Sequence, residues 1–212
     1  VNYIDTARGY TVSEEYLGIG LEGIREHFVL ATKSMSRTAE AMAKDIDISL
    51  KNLRTDYIDL YQIHNAPPAD LEKVCSPGGA LEALTAAKKA GKIGHIGITA
   101  HSLETFRMAL ELPWVETIMF PYNIVEDQAK ELIHACAEKN IGFIAMKPLA
   151  GGAIEDAVTA LRYVCANPDV TVVIPGMADI AELNQNLAAV NDSSPLSVEE
   201  EAKMRAIRDA LG

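Results

Sequence analysis

Four side chains that can carry or hold a proton stand at the ends of three successive apolar runs. They are Asp5, Tyr10, Lys33 and His64. A phenol with a pKa near 10 is a poor acid at pH 7, but a nearby ammonium favours the phenolate form. An imidazole can orient a carbonyl oxygen or assist the proton. The set therefore suits donation of a proton to an oxygen that becomes negative as hydride reaches the adjacent carbon.

Each of these residues also has an ordinary structural interpretation. A single tyrosine packs, a lysine after a strand is solvated, and a single histidine is a hydrogen-bonded structural residue. A buried Lys33 would lose its charge unless a carboxylate such as Asp5 kept it ionised. Because all four would meet at one end of a sheet of parallel strands, a proton-transfer site is the stronger interpretation.

A regular alternation of short apolar runs and longer amphipathic segments must position these residues. Strands are predicted over residues 2–5, 28–32, 58–63, 95–99, 117–122, 142–146 and 170–174. Helices are predicted over residues 14–23, 39–53, 80–90, 103–110, 127–139, 155–166 and 180–190. The strand segments are apolar at most positions, which is typical of strands that are covered on both faces.

This alternation predicts parallel strands, either in an open doubly wound sheet or in a closed barrel. No G-x-G-x-x-G turn follows the first strand, so the sequence favours an α/β (β/α)8 TIM-type barrel. Seven strands are found where a barrel needs eight, and the chain begins inside a strand. We therefore expect it to lack the first strand and helix; a protein that closes with seven strands is the alternative.

The predicted organisation is a barrel over residues 1–192, from the second strand to the eighth helix of a full barrel. A linker and an amphipathic helix follow over residues 193–212, with Ser197 as the helix N-cap and Glu200 in the capping-box position. The segment over residues 65–79 is predicted to be an irregular loop near the site because it is rich in proline and glycine. Whether it closes on substrate or only connects is left open.

Composition and charge restrict the partners. The net charge of −11 repels phosphate groups and argues against nucleic-acid binding. No apolar run reaches the roughly 20 residues of a membrane-spanning helix, and no secretory leader is visible. The three cysteines share no metal-ligand spacing. We expect a cytoplasmic protein without a metal site that acts on a small molecule; the sequence does not indicate an oligomeric state.

Residues 2–10, 31–33 and 56–64 resemble the signatures of the aldo-keto reductase superfamily around its catalytic Asp, Tyr, Lys and His. Residues 91–99 and 173–176 continue the resemblance in the same order. It implies a nicotinamide-dependent reductase of aldehydes or ketones, or the reverse alcohol oxidation. It further implies that Tyr10 is the general acid, that Lys33 and Asp5 set its acidity, and that His64 orients the carbonyl.

The resemblance also implies an NAD(P) site over the barrel mouth. The residues assigned to it are Thr99, Met119, Leu149, Ala150, Gly151, Gly152, Gly176 and Asn186. The chain departs from the usual pattern around the nicotinamide at three places: Thr99-Ala100 stands for Ser-Asn, Met119 for Gln and Met146 for Tyr. The basic residues that hold a 2′-phosphate are replaced by Gly176 and Glu182. An acidic residue there repels phosphate, so no strong preference for NADP is expected.

Residues 120–126 and 146–152 resemble one branch of the superfamily in which a ferredoxin-type 4Fe-4S segment follows the barrel. The chain has no C-x2-C-x2-C run, so a cluster is expected only in a longer parent chain. Two other functions therefore remain open beside the reductase. One is a catalytically weak cofactor-sensing or regulatory relative, and the other is a redox protein coupled to an iron–sulfur segment outside this chain.

Overall fold

The computed structural model describes residues 1–192 and 194–212. The chain divides into two compact units, Val1–Ile118 and Met119–Gly212. The strands are β1 (Tyr3–Asp5), β2 (Val29–Ser34), β3 (Ile58–Ile63), β4 (Ile93–Thr99), β5 (Thr117–Pro121), β6 (Gly142–Met146) and β7 (Val172–Ile174). The α-helices are α1 (Ser13–Gly20), α2 (Ala39–Asn52), α3 (Pro68–Cys75), α4 (Ala80–Lys89), α5 (Leu103–Leu110), α6 (Lys130–Glu138), α7 (Ala157–Cys165), α8 (Ile180–Asn191) and α9 (Val198–Leu211).

In the first unit, strands β1, β2, β3 and β4 pair in chain order and all pairs are parallel. Asp5 pairs with Ala31, and Lys33 pairs with Gln62. Parallel strands place their carboxyl ends at the same edge of the sheet. The register therefore brings the ends of β1, β2 and β3 together, and with them the predicted catalytic residues.

Helices α2 and α4 cover this part of the sheet with one apolar face each. Met42 and Ile46, four residues apart on α2, are at most 1% exposed, and Leu84 on α4 is fully buried. This i, i+4 spacing places side chains on the same side of a helix. Strands β2 and β3 are buried at nearly all positions, as their continuous apolar runs predicted.

In the second unit, β6 and β7 are parallel, with Ile144 paired with Val172. Helix α9 packs on α7 through Met204 and Ala160. The predicted capping box is present, because Ser197 Oγ accepts from Glu200 N at 3.1 Å and Glu200 Oε2 accepts from Ser197 N at 2.7 Å. The division of the chain at residue 192 remains a prediction.

The prediction of an irregular loop over residues 65–79 is wrong, because helix α3 (Pro68–Cys75) occupies the middle of this segment. Pro68 stands in the first turn, where proline has the right φ and its missing N–H is not needed. Leu71 and Val74 then bury one face of the helix. The prolines that indicated a loop therefore begin a helix.

The other predicted elements are present with small shifts at their ends. Helix α1 ends at Gly20, not at residue 23, and Gly23 has the positive φ of a chain reversal. Helix α6 begins at Lys130, three residues later than predicted. Within the described part of the chain, no helix is long and apolar enough to cross a membrane. No cluster of metal-ligating residues occurs there either.

Candidate active site

Lys33 is the centre of the site. It lies near the end of β2, and its side chain is only 3% exposed. Its Nζ donates to Asp5 Oδ2 and, at 2.9 Å, to the carbonyl oxygen of Thr6. The same Nζ lies 4.8 Å from the centre of the Tyr10 ring. The structure thus places one buried ammonium between a carboxylate and a phenol.

The Asp5 carboxyl is held from two sides. Its Oδ1 lies 3.5 Å from Nε2 of Gln62, a fully buried residue on β3. Burial raises the pKa of Asp5, while the charge and hydrogen bond of Lys33 act in the opposite direction. Tyr3 precedes Asp5 by two residues on β1, and burial together with the Asp5 charge raises its pKa far above the ordinary value. Tyr3 is therefore unsuited to give up a proton.

Tyr10 and His64 complete the set. Their ring centres are 6.0 Å apart and the rings meet edge to face. Tyr10 is 46% exposed, so it is accessible to solvent while its ring lies beside the buried Lys33. Burial lowers the pKa of His64 to about 4, and the positive charge of Lys33 acts in the same direction. The imidazole is therefore neutral at pH 7.

Hydrogen bonds from neighbouring strands hold the segment that carries His64. His64 N donates to Ser34 O at 2.9 Å, and Asn65 N donates to Thr99 Oγ1 at 2.7 Å. Asn65 has a left-handed φ of 47°, which asparagine tolerates better than most residues, and its Oδ1 lies 3.0 Å from His101 Nδ1. The Thr99 hydroxyl, which was predicted to contact the cofactor, accepts the hydrogen bond from the Asn65 backbone beside His64, and its O–H can still donate to another group. The cofactor role of Thr99 therefore remains a prediction.

The predicted pyrophosphate loop lies in the second unit. Ala150, Gly151 and Gly152 form a short 3-10 turn after Leu149, and all three have positive φ. A Cβ at Gly151 or Gly152 would meet nothing within 4 Å. The space beside the two glycines is therefore open, and the turn fits close approach of a ligand to the backbone.

The remaining predicted cofactor residues differ in accessibility. Gly176 follows β7, and an added Cβ there would also meet nothing within 4 Å. Met119 is 1% exposed and Asn186 is 6% exposed, so they offer little surface to a ligand and their assignment remains a prediction. Glu182 Oε2 accepts from Ala178 N at 2.6 Å, which places a carboxylate at the start of α8.

The fold agrees with what the comparison with known proteins shows. Residues 1–160 match the model of the aldo/keto reductase family. The chain therefore belongs to this family of oxidoreductases.

Relatives match over most of the chain. L-Galactose dehydrogenase of Arabidopsis thaliana is 27% identical in an alignment 248 positions long, which covers 95% of this chain and 77% of the relative. The holo form of an aldo-keto reductase from Bacillus halodurans has a TM-score of 0.84 at 24% identity, covering 98% of this chain and 82% of its own. An aldo/keto reductase from Klebsiella pneumoniae, in complex with NADP and acetate, has a TM-score of 0.81 at 25% identity, covering 98% and 81%. The predicted fold class is confirmed: a (β/α)8-type fold that is one strand–helix unit short.

Proposed function

We propose that this chain transfers hydride between a nicotinamide dinucleotide and an aldehyde or ketone, or the corresponding alcohol, with Tyr10 as the proton donor. The observation that carries the proposal is the position of Lys33 Nζ, which is bonded to Asp5 and lies 4.8 Å from the Tyr10 ring centre. The neutral His64 beside Tyr10 supports the same chemistry.

The cofactor, when bound, supplies hydride to the carbonyl carbon or accepts it from the alcohol. Tyr10 donates its hydroxyl proton to the carbonyl oxygen, on which negative charge develops. The phenolate left on Tyr10 is stabilised by the ammonium of Lys33. Asp5 keeps Lys33 charged in its buried position, because an unpaired ammonium there would be costly.

His64 serves to orient the substrate. A neutral imidazole can donate one N–H to the carbonyl oxygen without adding a third charge beside Lys33 and Asp5. With a pKa of about 4, His64 is not in the imidazolium form at pH 7 and is therefore not the acid that supplies the proton. In this mechanism the proton therefore comes from Tyr10, and His64 fixes the oxygen that receives it.

Thr99, Met119, the turn from Leu149 to Gly152, Gly176 and Asn186 are the residues proposed to hold the cofactor. The open space at Gly151 and Gly152 supports backbone contact with a pyrophosphate. The Glu182 carboxylate repels a 2′-phosphate, so we expect NADPH to bind less than tenfold more tightly than NADH. Fluorescence titration with each cofactor measures this ratio. A larger preference for NADPH would contradict the assigned role of Glu182.

Anaerobic assays of carbonyl substrates with the wild type and Tyr10→Phe test the proposal. We expect turnover to fall about 10²–10⁴-fold in Tyr10→Phe, because the proton donor is lost. Cofactor affinity should stay the same, since Tyr10 is not among the residues assigned to cofactor binding. Tyr16→Phe is the matched control, because this exposed tyrosine lies on α1 outside the site.

A cofactor-sensing protein is the second candidate. The observation that favours it is the altered set of residues predicted around the nicotinamide, where Met119 and Met146 stand in place of Gln and Tyr and Met119 is only 1% exposed. Saturable binding of NADH or NADPH by the wild type without turnover of any carbonyl would support this candidate and refute the reductase.

A further inference from the structure

Arg37 makes an unusual set of contacts just beyond β2. Its side chain is 8% exposed, and its Nη2 donates to two consecutive carbonyl oxygens, those of His64 at 2.8 Å and Asn65 at 3.0 Å. Its Nε donates to Asp70 Oδ2 on α3 at 2.9 Å. One buried guanidinium therefore ties the end of β3 to the residues after β2 and to a helix.

The position of Arg37 is itself fixed. Its carbonyl oxygen accepts from Ala80 N at 3.0 Å, at the start of α4. The guanidinium is planar and presents its donors in a fixed geometry, so it can hold two carbonyls that point the same way. The left-handed φ of Asn65 is part of the turn that places these two carbonyls together.

We infer that Arg37 is a positioning residue for His64, and this rests on the carbonyl-orienting role proposed for that histidine. The N–H groups of His64 and Asn65 are held by Ser34 and Thr99. Their carbonyl groups are held by Arg37. With both sides of the backbone anchored, the imidazole is kept edge to face with the Tyr10 ring, where a carbonyl oxygen would be shared between them.

Charges around His64 provide a readout that does not depend on turnover. Burial is the largest cause of its lowered pKa, followed by the charges of Lys33, His101 and Arg37. Lys33 faces it from β2, His101 from the segment after β4, and Tyr10 from the segment after β1. Removing Arg37 both deletes a positive charge and loosens the segment, and each change raises the pKa of His64.

Arg25 is a matched control at the opposite end of the same two strands. Its Nη1 donates to Phe28 O at 2.7 Å, and its Nη2 donates to Tyr57 O at 3.0 Å and to Asp59 Oδ2 at 2.6 Å. Like Arg37, Arg25 binds two carbonyl oxygens and one aspartate, in this case beside the amino ends of β2 and β3. None of these three hydrogen bonds involves Asp5, Tyr10, Lys33 or His64.

The experiment compares Arg37→Met with Arg25→Met in a carbonyl-substrate assay in which the wild type shows turnover. We expect kcat to fall about 10–100-fold in Arg37→Met, because a displacement of about 1 Å at a reacting group has effects of this size. The dissociation constant for the cofactor should not change. Arg25→Met should keep kcat within about threefold at a comparable loss of thermal stability. Equal losses of kcat in the two variants would overturn the inference.

Titration of the His64 ring by ¹³C NMR, assigned with His64→Gln, is the second measurement. We expect the pKa of His64 in Arg37→Met to be at least about half a unit above that of the wild type. An unchanged titration would overturn the inference even if the chain had no turnover. Absence of turnover in the wild type would refute the proposed function instead.

Arg37→Lys keeps the test available if Arg37→Met does not fold. Lysine retains the charge and can reach the carbonyls, but it lacks the planar fork that also engages Asp70. We expect kcat to fall about fivefold with the cofactor dissociation constant unchanged. Wild-type kcat in Arg37→Lys would count against the inference, because it would show that the geometry of the guanidinium has no role.

Discussion

The two ends of the β2–β3 strand pair each carry a cation bound to an aspartate, but the two pairs are buried to different depths. At the amino end, the side chains of Arg25 and Asp59 are 19% and 27% exposed. At the carboxyl end, those of Lys33 and Asp5 are 3% and 11% exposed. Burial of an ion pair costs desolvation that the attraction between the charges does not always offset. The deeper pair is therefore poorly explained by stability, and its contact with Tyr10 accounts for it better.

The neighbours of the two pairs point to the same difference. Asp59 Oδ2 accepts from Arg25 and also from Leu30 N at 2.9 Å, so the amino-end pair closes on the backbone of its own strands. At the carboxyl end, the buried Lys33 lies beside a Tyr10 ring that is 46% exposed. Burial of the charge together with exposure of its neighbour distinguishes the pair that we propose to take part in catalysis from the pair that only joins two strands.

The largest expected effect on stability is that of Lys33→Met. It leaves the Asp5 carboxylate buried without its partner, and we expect the free energy of unfolding to fall by about 3–5 kcal/mol. Arg25→Met should cost about 1–2 kcal/mol, because water can reach the partly exposed Asp59. Urea denaturation of both variants measures the difference.

The double variant Lys33→Met/Asp5→Leu is the control for this comparison. It replaces both charges by apolar groups, so it should recover most of the stability that Lys33→Met loses. Equal losses in Lys33→Met and Arg25→Met would show that the depth of burial does not distinguish the two ends.

A pH-dependent effect is expected at the carboxyl end. The pKa of His64 is about 4 in the folded chain and near 6.5 when unfolded. The unfolded chain therefore binds more protons between these values, so stability falls as the pH falls from about 6.5 to about 4. Allowing for partial exposure of the ring, we expect His64 to contribute about 1–2 kcal/mol to this loss.

Denaturation midpoints of the wild type and His64→Gln at pH 7 and pH 4.5 measure this contribution. The wild type should lose more stability between the two pH values than the variant. His27→Gln is the matched control, since the exposed His27 lies at the amino end. If His64→Gln and the wild type respond to pH alike, the imidazole is not held neutral by its surroundings.

The smallest expected effect concerns the aspartates that hold the two arginines. Asp59→Ala removes the acceptor of both Arg25 and Leu30 N, and should cost about 1–2 kcal/mol. Asp70→Ala removes one partner of Arg37. Because the Asp70 side chain is 38% exposed, we expect this loss to cost at most about 1 kcal/mol. Thermal denaturation ranks the two variants. A larger loss for Asp70→Ala would mean that α3 depends on this contact.

The amino-acid sequence alone was enough to predict the strands, most helices and the proximity of Asp5, Tyr10, Lys33 and His64. The catalytic roles of these four residues remain predictions. A strand that is buried on both faces has a continuous apolar run, and a helix that is buried on one face has apolar residues with a period of 3.6. These elements can therefore be predicted from local sequence. Asp5, Lys33 and His64 were predictable because residues at the carboxyl ends of neighbouring parallel strands must lie near one another.

Other features depend on contacts between residues far apart in the chain, which no local pattern encodes. Arg37 binds the carbonyl groups of His64 and Asn65, which follow it by 27 and 28 positions in the sequence. Nothing near Arg37 in the sequence indicates this contact. The use of the Thr99 hydroxyl by Asn65 N has the same origin. The neutral state of His64 follows from burial and from neighbouring charges, and both exist only after the strands have come together.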